Sequence, residues 1–267
     1  MATVLVTIVT PSLNGMEYLP ECIESTRSQE SSRVSVEHVF VDGGSTDGTV
    51  EFASTHGCTV LTRSERSVFV AINKGSFNSN GTLLGMLGCD DVLLPGALDA
   101  VVRHYERTGA RWIIGGCRWL DEQGMSHGDF RAPPSWITTP MHASLGWSCI
   151  PHISAFLHRD LFIELGGYDG SYYYAGDYEF FTRALQRETF SRVGQTLTGF
   201  RRHGANLSMS DNPERMREIQ SVMDRYGPRS AWQSGAYQYL LKVWLNGTNP
   251  KWFVTKRIDA IRARGHR

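Results

Sequence analysis

Seven residues near the N-terminus, Val4-Leu5-Val6-Thr7-Ile8-Val9-Thr10, narrow the possible folds sharply. They are β-branched or apolar at every position, so a strand made from them has two faces to bury, the pattern of a strand inside a parallel sheet. Pro11-Ser12-Leu13-Asn14-Gly15 ends it after one strand length. Leu19, Cys22, Ile23 and Thr26 then recur at helical spacing. A second apolar run, Val36 to Val41, follows and stops at Asp42-Gly43-Gly44-Ser45-Thr46-Asp47-Gly48. Strand, helix, strand and glycine-rich turn make a βαβ unit.

The alternation continues through a helix from Thr49 to His56, a strand from Cys58 to Thr62, a helical stretch around Ala71 to Asn78 and a strand from Thr82 to Gly88, up to Cys89-Asp90-Asp91. The expected fold is α/β, a Rossmann-like open and mostly parallel sheet with helices on both faces. Pro95 suits the first position of a helix running to Tyr105, with Leu98, Val101, Val102 and Tyr105 on one face. Beyond it the rhythm changes. Arg111 to Gly116 and Cys117 to Leu120 predict two strands around turn residues, with another turn at Asp121 to Gly124, so antiparallel structure joins the sheet. Arg131 to Trp147 has no clear period and is expected to loop over the site. Short helices follow at Arg159 to Leu165, stopped by Gly166-Gly167, and at Asp177 to Gln186, with Phe180, Phe181, Ala184 and Leu185 inward. Between them lies a polar aromatic loop, Tyr168 to Gly176. From about Asn212 the pattern predicts three helices ending in a basic segment, Lys251 to Arg267.

At 267 residues the chain suits one large domain with a tail. Lys plus Arg and Asp plus Glu are 27 each, so no global field favours nucleic acid, and attraction to anions must be local. Five cysteines, Cys22, Cys58, Cys89, Cys117 and Cys149, are scattered without a C-x-x-C pair, against a disulfide framework or a zinc site. A reducing compartment fits. No basic leader precedes the first strand, and nothing approaches the roughly 18 to 20 apolar residues that cross a bilayer. The expectation is a cytoplasmic chain, at most peripheral at the inner face of the membrane.

Two acidic clusters sit at the carboxyl ends of predicted strands, Asp42 after the second and Asp90 with Asp91 after the fourth, the edge where open α/β sheets bind ligands. Adjacent carboxylates repel unless a cation or solvent compensates. Hard divalent cations such as Mg²⁺ or Mn²⁺ take oxygen ligands and keep positions open for phosphate. The plain alternative is an exposed turn with a capping Asp.

Taken in order, Val6 to Gly15, Val39-Phe40-Val41-Asp42-Gly43-Gly44-Ser45-Thr46-Asp47-Gly48-Thr49, Ala71-Ile72-Asn73-Lys74-Gly75 and Cys89-Asp90-Asp91 resemble the motifs of glycosyltransferase family 2. The resemblance covers about the first hundred residues well. It continues more loosely through Pro151-His152 and Gly166-Gly167-Tyr168-Asp169 to Gly176-Asp177-Tyr178-Glu179. It implies the GT-A fold, usual inversion at the anomeric carbon, and a nucleoside-diphosphate sugar, UDP-linked by expectation, with Mn²⁺ or Mg²⁺. In that scheme Thr10 and Pro11 line the base pocket, Asp42 accepts from the nucleobase, Asp90 faces the ribose and Asp91 holds the metal. Asn73 and Lys74 lie near ribose and diphosphate, although a helical Lys is as readily solvated.

An inverting transfer needs one carboxylate to take the acceptor's proton, and the family places it where this chain has Asp177, with Glu179 as fallback. The alternative for Asp177 is a helix N-cap. His152 is a candidate acceptor contact. Arg202 and His203, at a strand end, are candidate diphosphate or metal contacts, and each histidine has a structural alternative. The chain departs from the family at Ser64-Glu65-Arg66-Ser67-Val68-Phe69-Val70-Ala71, which is shorter and lacks the usual aspartates and glycine; Arg66 is the substitute diphosphate contact or a surface charge.

The expected division is a GT-A domain over 1–210, with a donor half 1–100 and an acceptor half 101–210, and a helical extension over 211–267. The extension mixes Trp232, Tyr237, Tyr239, Trp244, Trp252 and Phe253 with basic residues, suited to a core, a homo-oligomer interface or an anionic membrane surface. The expected reaction moves a sugar to a hydroxyl of a glycan, a lipid-linked saccharide or a small molecule, in cell-envelope polysaccharide synthesis. The competing expectation is a catalytically degenerate fold that binds nucleotide sugar or glycan. A nucleotidyltransferase would need a glycine-rich phosphate loop after the first strand, and a dinucleotide oxidoreductase a G-x-G-x-x-G, and neither is present.

Overall fold

The computed structural model describes residues 3–62, 67–204, 206 and 212–249. Strand β1 (Val4–Ser12) leads to α1 (Leu19–Arg27), β2 (Val34–Asp42), α2 (Thr49–Thr55), β3 (Thr59–Thr62), α3 (Val68–Phe77) and β4 (Leu83–Met86). β1 pairs with β2 and β4, and β2 with β3, all parallel, so their carboxyl ends share one edge. α1 buries Leu19, Cys22, Ile23 and Thr26, the four residues whose spacing predicts it.

The chain continues with β5 (Val92–Leu93), α4 (Ala97–Thr108), β6 (Trp112–Leu120), β7 (Ser126–Phe130) and α5 (Thr139–Ala143). After these come β8 (Ala155–His158), α6 (Arg159–Glu164), α7 (Gly176–Ala184), β9 (Ser191–Arg201), α8 (Pro213–Tyr226) and α9 (Ala231–Thr248). Among the described residues the strands form one sheet in the order β3-β2-β1-β4-β8-β6-β9-β5, with β7 beside β6. β8 runs antiparallel to β4 and β6, whereas β6 and β9 are parallel.

Strand periodicity divides the interior. Trp112 and Ile114 enter a core with α3, α7 and α9, while Ile113 enters the opposite core with Leu98, Val101 and Val102 of α4. Each such buried side chain contributes roughly 1.5–3 kcal/mol.

Three expectations change. The helix begins at Ala97 and leaves Pro95 outside, because Gly96 takes a left-handed conformation (φ 74°) before it. The two strands expected around Gly115-Gly116 are the single strand β6. There the glycines admit Leu197 of β9, whose side chain occupies the space a Cβ on Gly115 would need. The stretch 131–147 carries α5 and buries Ala132, Ile137 and Met141 in the core, so it is packed structure and not a cover. The last helix expected from Lys251 onward, with Trp252 and Phe253, lies outside the described residues, as do Arg66 and most of the segment before Ser67.

Candidate active site

The loops after β1 and β2 are one structure. Backbone N–H groups of Asn14, Gly15 and Met16 donate to Ser45 Oγ (2.8 Å), Thr49 Oγ1 (3.1 Å) and Asp47 Oδ2 (3.1 Å). In return Asn14 Oδ1 accepts from Thr46 N–H at 2.9 Å. Gly15 is required by crowding, since a Cβ there would lie 2.5 Å from Ser12 Oγ and 2.7 Å from Cys89 Sγ. Asp42 is buried, and its carboxylate accepts from Gly44 N–H (2.7 Å) and Ser45 N–H (3.1 Å), capping its own turn. Buried Thr10 bonds His38 Nε2 at 2.9 Å, and burial pushes that ring down to about 4. Pro11 is buried beside it. The side chains of Thr10 and Asp42 are therefore engaged with the scaffold, and what this edge offers a ligand is its backbone.

The carboxylate pair after β4 divides unequally. Asp91 is 3 % exposed and accepts from Arg201 N–H at 2.9 Å; burial first, and the neighbouring Asp90 charge second, raise its carboxyl well above the usual range. The Asp90 side chain is 22 % exposed, and its Oδ2 meets His203 Nε2 at 2.8 Å and accepts from Asn206 Nδ2 at 3.1 Å. Arg201 builds this corner. Only 2 % exposed, it donates to the Asp90 carbonyl (3.0 Å), to the Glu122 carbonyl (3.1 Å) and to the Glu21 carboxylate. Its guanidinium lies 5.0 Å from the Tyr18 ring, which stacks on His203 at 5.4 Å. Arg202 points instead to the Trp119 ring, 5.5 Å away.

Among the described residues no group of three or more His, Cys, Asp or Glu gathers as a cation site. Asp90 and His203 nevertheless form an oxygen and nitrogen donor pair. That pair fits a divalent cation such as Mn²⁺ or Mg²⁺ whose remaining positions go to phosphate oxygens and water.

Asn73 and Lys74 both bond backbone groups of the chain. Asn73 grips one residue twice: Nδ2 donates to the Tyr168 carbonyl (2.7 Å) and Oδ1 accepts from Tyr168 N–H (2.8 Å). Exposed Lys74 donates to the Thr62 carbonyl at the end of β3. Gly167 explains the fixed glycine before the tyrosine. It has φ 71°, and a Cβ there would lie 2.5 Å from Asn73 Oδ1.

Tyr168, thus fixed, joins two further candidates. Its hydroxyl bonds His152 Nε2 at 2.7 Å in an aromatic setting of Phe69 and Phe181, and burial pushes that histidine down to about 3, so the ring is neutral. Burial first, and the charge of Asp177 second, raise the Tyr168 hydroxyl. Asp177 begins α7, partly open to solvent yet crowded enough that burial pushes it up to about 6, against opposing contributions from the Tyr178 N–H and Arg215. Glu179 is buried and engaged by Arg183 (2.9 and 3.0 Å) and the Tyr226 hydroxyl (3.0 Å).

These groups share one edge of the sheet. His152 precedes β8, whose antiparallel register on β4 sets it at the carboxyl end of β4, where Asp90 also lies. α3 starts at the carboxyl end of β3, and its Phe69 lies so close to Gly176 that a Cβ there would be 2.5 Å from the ring. Ser67 Oγ ties the same place to the Tyr172 carbonyl at 3.0 Å.

Sequence reasoning took Arg201 only as a companion of Arg202 and His203, and it missed Tyr18, Tyr168 and Glu218. The last accepts N–H bonds from Tyr173, Tyr174 and Ala175, each at 2.8 Å, and sets the loop before Asp177 from α8. No local pattern marks a glutamate for that use; it depends on where α8 packs. The larger described cavity, about 720 Å³ and lined by Arg118, Asp129 and Arg192, lies elsewhere. Its carboxylate, Asp129, is paired with Arg118 at 2.7 Å, which leaves no base there.

The comparisons with known proteins bear on the fold and the family. An S. aureus TarS fragment, residues 1–349, solved in complex with UDP-GlcNAc superposes with a TM-score of 0.66 at 14% identity, covering 87% of this chain and 70% of that one. The fold is therefore that of GT-A glycosyltransferases. Residues 7–165, more than half of the chain, match the family described as Glycosyl transferase family 2, and the protein belongs to that family. An uncharacterized glycosyltransferase of Mycobacterium tuberculosis is 28% identical over 190 residues, 67% of this chain and 68% of that one. A PGL/p-HBAD biosynthesis glycosyltransferase of Mycobacterium bovis is 35% identical over 99 residues, 35% of this chain and 38% of that one.

Proposed function

We propose that this glycosyltransferase moves a sugar from a nucleoside-diphosphate donor, UDP-linked by analogy with the ligand of the TarS complex, to an acceptor hydroxyl with inversion. The observation that carries the reading is Asp177, a partly open carboxyl held near 6 beside Tyr168, on the edge that also carries Asp90 and His203. The acceptor oxygen attacks the anomeric carbon as its proton passes to the Asp177 carboxylate. The bond from that carbon to the diphosphate oxygen breaks, and the electron pair leaves with the nucleotide. A carboxylate whose pKa approaches working pH suits this task and contributes roughly 10²- to 10⁴-fold.

Asp90 and His203 hold Mn²⁺ or Mg²⁺ in this reading, in place of Asp91. The ion supplies neutralising charge to the departing diphosphate. The nucleoside sits against the clasped loops after β1 and β2. Thr10 and Pro11 form its floor, and Asp42 shapes the turn without reaching the base. Lys74 stands at the outer rim, and His152 and Tyr168 face the acceptor. The helices from residue 211 work as part of the acceptor half, because Glu218 fixes its loop. Five free cysteines favour a reducing, cytoplasmic location.

A panel of nucleotide sugars with Mn²⁺ or Mg²⁺, run on wild type and Asp177→Asn, tests the reading. Cation-dependent release of nucleoside diphosphate that the variant loses supports it; turnover unchanged in the variant removes Asp177. Failure of every nucleotide sugar to bind in calorimetry removes the class of donor.

A further inference from the structure

Helix α9 is apolar on both sides. Its inward face buries Leu241 and Leu245 in the core with Tyr237 and Trp244 packed beside them. Its outward face carries Trp232 (74 % exposed), Tyr239 (72 %), Leu240 (47 %) and Val243 (54 %). With exposed Ala236, these positions follow helical spacing and form one continuous stripe. Lys242 is the only charged residue between Ala231 and Thr248. Single exposed apolar residues need no explanation, but a continuous stripe does. No helix among the described residues is long and apolar enough to cross a membrane.

The sequence beyond the stripe supplies the second observation. Lys251, Lys256, Arg257, Arg262, Arg264 and Arg267 follow Asn249 against Asp259 alone, in a chain that carries 27 charges of each sign in all, so the sequence before them has an acidic excess. Trp and Tyr beside lysines and arginines are the composition of a surface that lies in the headgroup layer of an anionic bilayer. A second copy paired stripe to stripe would bring a second positive continuation, whereas an anionic bilayer offers opposite charge along its whole surface.

We infer that the outward face of α9, with the basic sequence after it, seats this protein on an anionic membrane surface. The stripe supplies apolar burial, and the basic residues supply attraction that salt weakens. The inference stands apart from the proposed reaction, since it concerns binding alone.

Co-sedimentation of the full chain tests it, with phosphatidylcholine vesicles and with vesicles containing about one-third phosphatidylglycerol. The expected result is binding to the anionic vesicles only, reduced by added salt. Trp232→Ser, Leu240→Ser and Val243→Ser together should weaken partition by about ten-fold or more. If that variant misfolds, a conservative change keeps the test open: brominated phosphatidylcholine in the anionic vesicles should quench tryptophan emission of the wild type, and Trp232→Phe should reduce that quenching, the remainder belonging to Trp252 of the basic continuation. The inference is overturned if the wild type ignores both vesicles, if the triple variant binds as well as wild type, or if Trp232→Phe is quenched as strongly as the wild type. A wild-type dimer that the triple variant converts to monomer in light scattering also overturns it, since a second copy would then cover the stripe.

Discussion

Asp90 Oδ2 and His203 Nε2 meet at 2.8 Å across 113 residues of sequence, while the adjacent Asp91 faces inward to a backbone N–H. This relationship makes the two aspartates respond differently to the same change. Asp90→Asn should lower cation-dependent turnover by about 10²-fold or more, with weaker Mn²⁺ binding in calorimetry. Asp91→Asn still accepts from Arg201 and removes a buried charge, so its melting temperature at neutral pH should equal or exceed that of the wild type. Loss of Mn²⁺ binding in the Asp91 variant alone would restore the roles expected from the sequence.

Asp177 couples function to stability with a definite sign. Its folded pKa of about 6 lies above the unfolded value of about 3.9. Between those values the folded chain holds a proton that the unfolded chain has released, so stability falls as pH rises through that window. Asp177→Asn should therefore stabilise the protein by up to about 3 kcal/mol above pH 6 and have no effect near pH 3. In the wild type, turnover should fall on the acid side with an apparent pKa near 6. Thermal melts and a pH–rate profile read the two effects separately.

The grip of Asn73 on Tyr168 predicts a stability defect. Asn73→Ala leaves a buried N–H and a carbonyl without partners and should cost about 2–4 kcal/mol. Gly167→Ala should also destabilise, through φ 71° and the clash with Asn73 Oδ1. In the double variant the clash disappears but the strained backbone remains, so denaturant titrations should show a combined loss smaller than the two single losses added. Simple additivity would mean that the two residues do not press on each other.

Glu218→Ala should free the loop before Asp177 without touching the donor side. The expected signature is a raised KM for acceptor and a lowered kcat, with nucleotide binding unchanged in calorimetry. Weakened nucleotide binding would show that α8 also shapes the donor half.

The donor half of the fold was legible because its information is local. β1 and β2 bury both faces, and Leu19, Cys22, Ile23 and Thr26 mark α1 by spacing alone. Motifs such as Ser12-Leu13-Asn14-Gly15 and Ser45-Thr46-Asp47 were also visible, but their purpose was not, because each satisfies the other's backbone across the sheet. β6 was split at Gly115-Gly116 since glycine in sequence suggests a turn, whereas here it answers the approach of Leu197. Asp177 is a candidate through family position, and the engagement of Glu179 beside it by Arg183 and Tyr226 rests on contacts that no local pattern marks. Arg201 was visible only as a neighbour of His203, since its partners Glu21, Asp90 and Glu122 come from three separate stretches of chain.

The Glu218 contact also orders events in time. Its three N–H donors are synthesised 43 to 45 residues before the carboxylate that fixes them. At about 5–20 residues per second, seconds pass between synthesis of the loop before Asp177 and arrival of the carboxylate that fixes it. A chain that stops before residue 218 carries that loop unset.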